Sequence, residues 1–175
     1  MIIIGVDPGC SGAIVVTDKE GKYIAHLDMP TSVIGTKNRV NAAAIKGFLD
    51  DTFSKLPWYH PALMHAFIEQ VGAMPKQGTA SMFTFGDACG TVRGVIVGYG
   101  IPLTFITPQA WKKSAGLIGS NKDAARSRAI QLYPELRALD AIGKGQALAD
   151  ALLIARHGRI QLGETKSATR KDDLI

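Results

Sequence analysis

Residues 2–17, which read IIIGVDPGCSGAIVVT, decide the fold. Two runs rich in isoleucine and valine flank a short Asp-Pro-Gly-Cys-Ser-Gly connection, which predicts a buried strand, a tight turn and an antiparallel return strand. Asp7 is the one charge in this stretch, and Pro8 and Gly9 turn the chain directly after it. A carboxylate at the end of a buried strand loses hydration and needs a counter-charge. A bound divalent cation and a turn aspartate that hydrogen-bonds its own backbone are both open interpretations.

The composition is that of a globular protein with a slightly basic balance. The 175 residues fit one domain, and hydrophobic residues make up 46% of the chain. The formal net charge of +5 favours a polyanionic partner, although an excess of this size also occurs in ordinary enzymes. Cys10 and Cys89 lack metal-type spacing, so we expect reduced thiols. No basic leader precedes the apolar start and no apolar run reaches membrane-spanning length, so the sequence predicts a cytoplasmic protein without membrane contact.

The rest of the chain predicts strands and helices in alternation. A third antiparallel strand is expected at 23–29, and 30–40 lacks periodicity and predicts an exposed loop. Further expected elements are a helix at 41–56 capped by Asn41, a strand at 65–71, a helix at 79–99, a strand at 101–106, a helix capped by Thr107, a helix at 121–133 capped by Ser120, and a helix at 146–159. This order predicts an α/β fold of the ribonuclease H kind, with a mixed five-stranded sheet, three antiparallel strands first, flanked by helices. We expect one domain over 1–162 and a flexible polar tail over 163–175.

Three isolated acids stand in otherwise apolar elements: Asp7 on the first strand, Glu69 on the fourth and Asp150 on the last helix. If the first and fourth strands are neighbours, Asp7 and Glu69 lie side by side, and a helix crossing that edge brings Asp150 over both. Carboxylates sharing a small volume need a counter-charge, and all-oxygen ligands select Mg²⁺ or Mn²⁺. Two such ions about 4 Å apart can activate a water and stabilise the departing oxygen in phosphodiester hydrolysis. Alternatively, each acid is a separate strand-end or helix-surface residue.

The chain resembles the RuvC-type Holliday-junction resolvases, especially their phage and prophage branch. The segments that carry the resemblance are IIIGVDPGCSGAIVV at 2–16, FIEQVGAMPKQGTASMFTFGDACG at 67–90, ITPQAWKKSAGLIGSNKDAARSRA at 106–129 and ADALLIARHG at 149–158. The resemblance implies a ribonuclease H-like homodimer that binds four-way or branched DNA and makes paired nicks. It also implies a dependence on Mg²⁺, which Mn²⁺ can replace, with two ions per site when DNA is bound.

The resemblance also assigns roles to individual residues. Asp7, Glu69 and Asp150 fall on the family's catalytic, metal-binding carboxylates, and Lys122 falls on a basic position near the scissile phosphate. Bacterial members carry an aromatic residue soon after the strand-end glutamate; this chain has none there, and Met74 is expected to act as an apolar wedge. The residues expected to contact DNA are Lys112, Lys113, Lys122, Arg126, Lys76 and Met74. Solvated surface charges are the alternative for Lys112 and Lys113.

The chain departs from the family in its fourth acid. Bacterial members carry an acid three residues before the last aspartate, where this chain has Ala147, and phage members often carry one five residues before, where it has Gly145. This gap makes a catalytically weak or inactive junction-binding protein the main alternative. The strand-turn-strand opening also resembles the phosphate-binding start of sugar kinases and actin-like ATPases. Those proteins have two domains and are much longer, and the helix of Asp150 would have no role in them.

Overall fold

The computed structural model describes residues 1–56, 60–70, 72, 78–121 and 123–172, with side chains described up to residue 163. The strands are β1 (Ile2–Asp7), β2 (Ala13–Asp18), β3 (Tyr23–Asp28), β4 (Thr31–Ile34), β5 (Lys37–Val40), β6 (Met64–Glu69) and β7 (Leu103–Ile106). The helices are α1 (Ala42–Ser54), α2 (Thr79–Gly98), α3 (Pro108–Ala115), α4 (Ala124–Leu132) and α5 (Lys144–Asp172), with 3₁₀ turns at Pro61–Leu63 and Arg137–Asp140.

The central sheet has five strands in the order β3-β2-β1-β6-β7. β1 pairs antiparallel with β2 and parallel with β6, and β7 continues the parallel half beyond β6. The predicted mixed five-stranded sheet, with three antiparallel strands first and helices on its faces, is therefore confirmed. β1 lies at its centre and is covered on both faces, which explains its unbroken apolar run.

Two apolar clusters cover the two faces of the sheet. Ile2, Ile4 and Val6 of β1 face a cluster built with α1 and α2, whereas Ile3 faces one built with α3, α4 and α5. Alternation along the strand sends successive side chains to opposite faces, so one short segment anchors both layers.

A second, two-stranded sheet replaces the loop predicted at 30–40. β4 and β5 pair antiparallel, with Ile34 opposite Lys37 across a tight turn at Gly35, whose φ is +62°. The expectation of exposure is confirmed for most of these side chains, but the expectation of irregular structure is wrong. The sequence does not reveal these two strands because the hairpin lies on the surface and needs no alternation of apolar and polar residues.

The helix ends agree with the sequence in part. Asn41 caps α1 by accepting from the Ala44 N–H, and Thr107 caps α3 by accepting from the Ala110 N–H, as predicted. The predicted cap at Ser120 is wrong, since α4 begins at Ala124 after Asp123. α5 extends beyond the predicted 159 to Asp172, while flexibility of 163–175 stays a prediction. None of the described helices combines the length and apolarity needed to cross a membrane.

Candidate active site

Asp7 and Glu69 end neighbouring parallel strands at the same edge of the sheet. The register pairs Val6 with Ile68, so the next residue of each strand carries the carboxylate. The pKa of Asp7 is raised to about 6, mainly by burial and then by the Glu69 charge, while a hydrogen bond from the Gly9 backbone lowers it. The two acids are therefore close enough to repel each other, as the predicted strand order requires.

Asp150 reaches the same edge because α5 crosses β1 at very short range. A Cβ added to Gly5 would lie 2.2 Å from the Ala151 carbonyl oxygen, so only glycine permits this approach. The pKa of Asp150 is raised to about 7, mainly by burial and then by the charges of Asp7 and Glu69. The three carboxylates that the sequence predicted therefore lie within electrostatic reach of one another at this sheet edge.

Two side chains that the sequence reasoning missed hold these carboxylates. Trp111 is buried, and its Nε1 donates to Glu69 Oε1 over 2.8 Å. The Nε2 of Gln146 donates to Asp150 Oδ1 over 3.0 Å. Gln146 could have been found from its position one helical turn before Asp150. Trp111 had no comparable signal, because its contact with Glu69 depends on how α3 packs against the end of β6.

The donor chemistry of this edge fits a divalent cation. Carboxylate oxygens are the ligands that Mg²⁺ and Mn²⁺ prefer, and a cation would relieve the repulsion that raises both pKa values. Within the described part of the chain, no three acidic, histidine or cysteine side chains are yet arranged closely enough to hold one ion. The residues fit the ion by the chemistry of their oxygens and by their shared position at this sheet edge.

Lys112 lies on the polar side of the site. Its charge lowers the pKa of Asp150, and its Nζ is 5.3 Å from the centre of the Trp111 ring. A cavity of about 360 Å³ opens beside it and is lined by Lys112, Leu117, Ser120, Asn121, Ala125, Gln146 and Asp150. This polar space next to the carboxylates has the charge and the donors to take a phosphate group. Lys113 is exposed on the same helix.

The other predicted DNA contacts have different surroundings. Arg126 is half-buried, and it donates to the carbonyl oxygens of Leu139 over 2.8 Å and of Asp140 over 3.3 Å. The structure therefore shows it fixing the turn before α5, and its contact with DNA stays a prediction. Lys122, Met74 and Lys76 lie outside the described residues, so their roles stay predictions too.

Comparison with known proteins gives one family match and two solved structures of similar fold. The family model described as crossover junction endodeoxyribonuclease RuvC matches residues 3–157. A Thermus thermophilus RuvC structure has a TM-score of 0.53 at 18% identity, covering 90% of this chain and 92% of that chain. T. thermophilus RuvC in complex with a Holliday junction substrate has a TM-score of 0.50 at 17% identity, with the same coverage of 90% and 92%. At these identities the two structures support the fold alone.

No curated protein sequence gives a significant match. Because the family model spans most of the 175 residues, the chain belongs to the RuvC family of crossover junction endodeoxyribonucleases.

Proposed function

We propose that the protein is a structure-selective endodeoxyribonuclease that resolves four-way or branched DNA junctions by metal-dependent hydrolysis with paired nicks. The observation that carries this proposal is the meeting of Asp7, Glu69 and Asp150 at one sheet edge in a chain of the RuvC family. Metal-dependent phosphodiester hydrolysis uses such a set of hard oxygen ligands beside a phosphate-binding surface.

The side chains divide the work of the reaction. Asp7, Glu69 and Asp150 would hold the divalent cations, with a second ion retained mainly when the DNA phosphate adds its own oxygens. When bound, Mg²⁺ or Mn²⁺ supplies activation of the attacking water and charge stabilisation at the departing oxygen. Trp111 orients Glu69, and Lys112 offers a positive charge to the scissile phosphate from the cavity beside Asp150. Lys122 is proposed as a second cation at that phosphate.

We propose further that the protein acts as a homodimer through α2. Gly86, Gly90, Gly94 and Gly98 recur every four residues, so they share one helix face. A Cβ added to any of them would meet no atom within 4 Å in the described chain. This open strip of glycines would let the backbone of a second copy approach closely. A twofold dimer would contain two symmetry-related active sites, one for each of the paired cuts.

The test is a cleavage assay on matched DNA substrates. In Mg²⁺, the purified protein should nick a four-way junction symmetrically and cut linear duplex of the same sequence poorly. The extent of cleavage of a Y-fork should lie between these two or close to that of the junction. Tight junction binding without nicking in either Mg²⁺ or Mn²⁺ would instead identify an inactive junction-binding protein. Equal cutting of all substrates would contradict structure selectivity.

A further inference from the structure

The helical turn before Asp150 contains a polar side chain whose oxygen has no partner among the described residues. Gln146 lies four residues before Asp150, and its Nε2 donates to Asp150 Oδ1 over 3.0 Å. Its Oε1 is buried and accepts no hydrogen bond from any part of the chain that the structure describes. If the Oε1 and Nε2 atoms of Gln146 were exchanged, the oxygen would face the Asp150 carboxylate and the N–H groups would have no acceptor. The hydrogen bond to Asp150 therefore fixes the orientation of the Gln146 amide. A buried acceptor of this kind needs a donor from outside the described chain.

The two positions beside Gln146 cannot serve Asp150 in the same way. A side chain at Gly145 would begin 2.4 Å from the Leu139 carbonyl oxygen, which is closer than Cβ atoms approach. Ala147 is only 7% exposed and packs in the apolar cluster of α3, α4 and α5. Packing thus accounts for the absence of an acid at both positions. Among 145, 146 and 147, only residue 146 carries a side chain that reaches Asp150.

The surroundings of Gln146 fit the water shell of a divalent cation. Gln146 and Asp150 line the same polar cavity together with Asn121 and Ser120. Mg²⁺ keeps several of its waters when it binds to proteins, and those waters need acceptors. A neutral amide oxygen provides an acceptor without adding a fourth negative charge to three carboxylates that already repel one another.

We propose that Gln146 completes the metal site as a neutral hydrogen-bond acceptor for the cation's water shell. Its amide nitrogen holds Asp150, and its Oε1 accepts a hydrogen bond from the cation's water shell. The inference rests on the proposed metal-dependent function and makes Gln146 a positioning residue. Partners of this kind typically change metal affinity by about 10–100-fold when they are removed.

Terbium binding tests this without a cleavage readout. The Trp111 indole contacts Glu69, so it is placed to sensitise luminescence from Tb³⁺ at the site, and a Trp58→Phe background removes the other tryptophan. Gln146→Met removes both amide atoms at similar volume and should weaken terbium binding by about tenfold or more. Gln146→Glu keeps an acceptor oxygen and should bind at least as tightly as the wild type. Gln131→Met, at an exposed position of α4, is the matched control and should not change the affinity.

Different terbium results would contradict different parts of the proposed role of Gln146. Wild-type terbium affinity in Gln146→Met, or no terbium binding by the wild type, would overturn the inference. An equal loss in Gln146→Met and Gln146→Glu would assign the effect to the amide N–H and overturn the acceptor role of the oxygen. Melting curves of the metal-free variants verify folding, and if Gln146→Met fails to fold, the affinity of Gln146→Glu decides. A wild type that binds terbium in this pattern but cuts no junction would refute the proposed function and leave the role of Gln146 intact.

Discussion

At the scale of single residues, the site consists of carboxylates held where their charge is unfavourable. The pKa of Asp7 is raised to about 6 and that of Asp150 to about 7, first by burial and then by mutual repulsion. The folded chain therefore binds protons more tightly than the unfolded chain, whose aspartates titrate near 3.8. The free energy of unfolding of the metal-free protein should fall as the pH rises from about 4 to about 7. A bound cation should offset this loss.

Asp150→Asn should stabilise the metal-free protein at pH 8 and leave it nearly unchanged near pH 4, because the amide removes a charge that is present only at the higher pH. The melting temperature at pH 8 should rise by about 2–4 °C for each kcal/mol of repulsion relieved. Thermal melts in EDTA at both pH values provide the measurement. Asp140→Asn is the control, since Asp140 is exposed and pairs with Arg137 over 3.0 Å. An equal shift at the two pH values would contradict the link to titration.

Asp7→Asn should abolish cleavage while leaving junction binding unchanged or tighter. The substitution removes a metal-binding oxygen at the end of β1, and it also removes negative charge facing the DNA phosphates. Nicking assays in Mg²⁺ and gel-shift titrations in EDTA measure the two effects separately. Asp140→Asn should alter neither. Normal nicking by the purified Asp7→Asn variant would remove Asp7 from the catalytic set.

At the scale of elements, the sequence predicted what periodicity and isolated charges can reveal. The apolar run of β1 predicted the central strand of the sheet. The isolated acids in apolar segments, Asp150 in its helix among them, predicted the three carboxylates. The β4–β5 hairpin was missed because its exposed side chains carry no apolar alternation. The contacts of Trp111 and Gln146 were missed because they depend on how α3 and α5 dock, which spacing along the chain does not encode. Nor does the sequence show that Ala147 faces the core.

The three lysines that are expected to contact DNA phosphates, Lys112, Lys113 and Lys122, can be tested together. Replacing Lys112, Lys113 and Lys122 with Gln should weaken binding to all DNA and lower the slope of log affinity against log salt by about 0.9 for each phosphate that the variant no longer neutralises. Salt titrations of junction binding give the slope. The matched control replaces Lys19, Lys46 and Lys55, each of which pairs with an acid on an exposed surface. If both triple variants change the slope equally, the lysines of α3 act only through net charge.

At the scale of the whole molecule, one sheet edge gathers the chemistry and one helix face stays open. α5 and β6 bring their acids to Asp7 from different parts of the chain, so the candidate site forms only in the complete fold. α2 lies on the opposite face of the sheet from α5, and its glycine strip has no neighbour within 4 Å in the described chain. A second copy on α2 would therefore leave the α5 side of each active site accessible to DNA.

Gly90→Leu should weaken the dimer without unfolding the protomer. The new side chain meets open space within its own chain, and replacing a helical glycine stabilises the helix by roughly 1 kcal/mol, so the melting temperature of the monomer should not fall. A second backbone that packs against the strip would be pushed away. Sedimentation velocity at micromolar concentration should show a dimer for the wild type and mostly monomer for Gly90→Leu. Gly47→Leu makes the same change at an exposed position of α1 and should stay dimeric.

On junction DNA, the monomeric variant should leave single nicks where the wild type makes symmetric pairs. A monomeric wild type, with and without junction DNA, would refute the dimer, and paired nicking by monomeric Gly90→Leu would show that two linked active sites are not required.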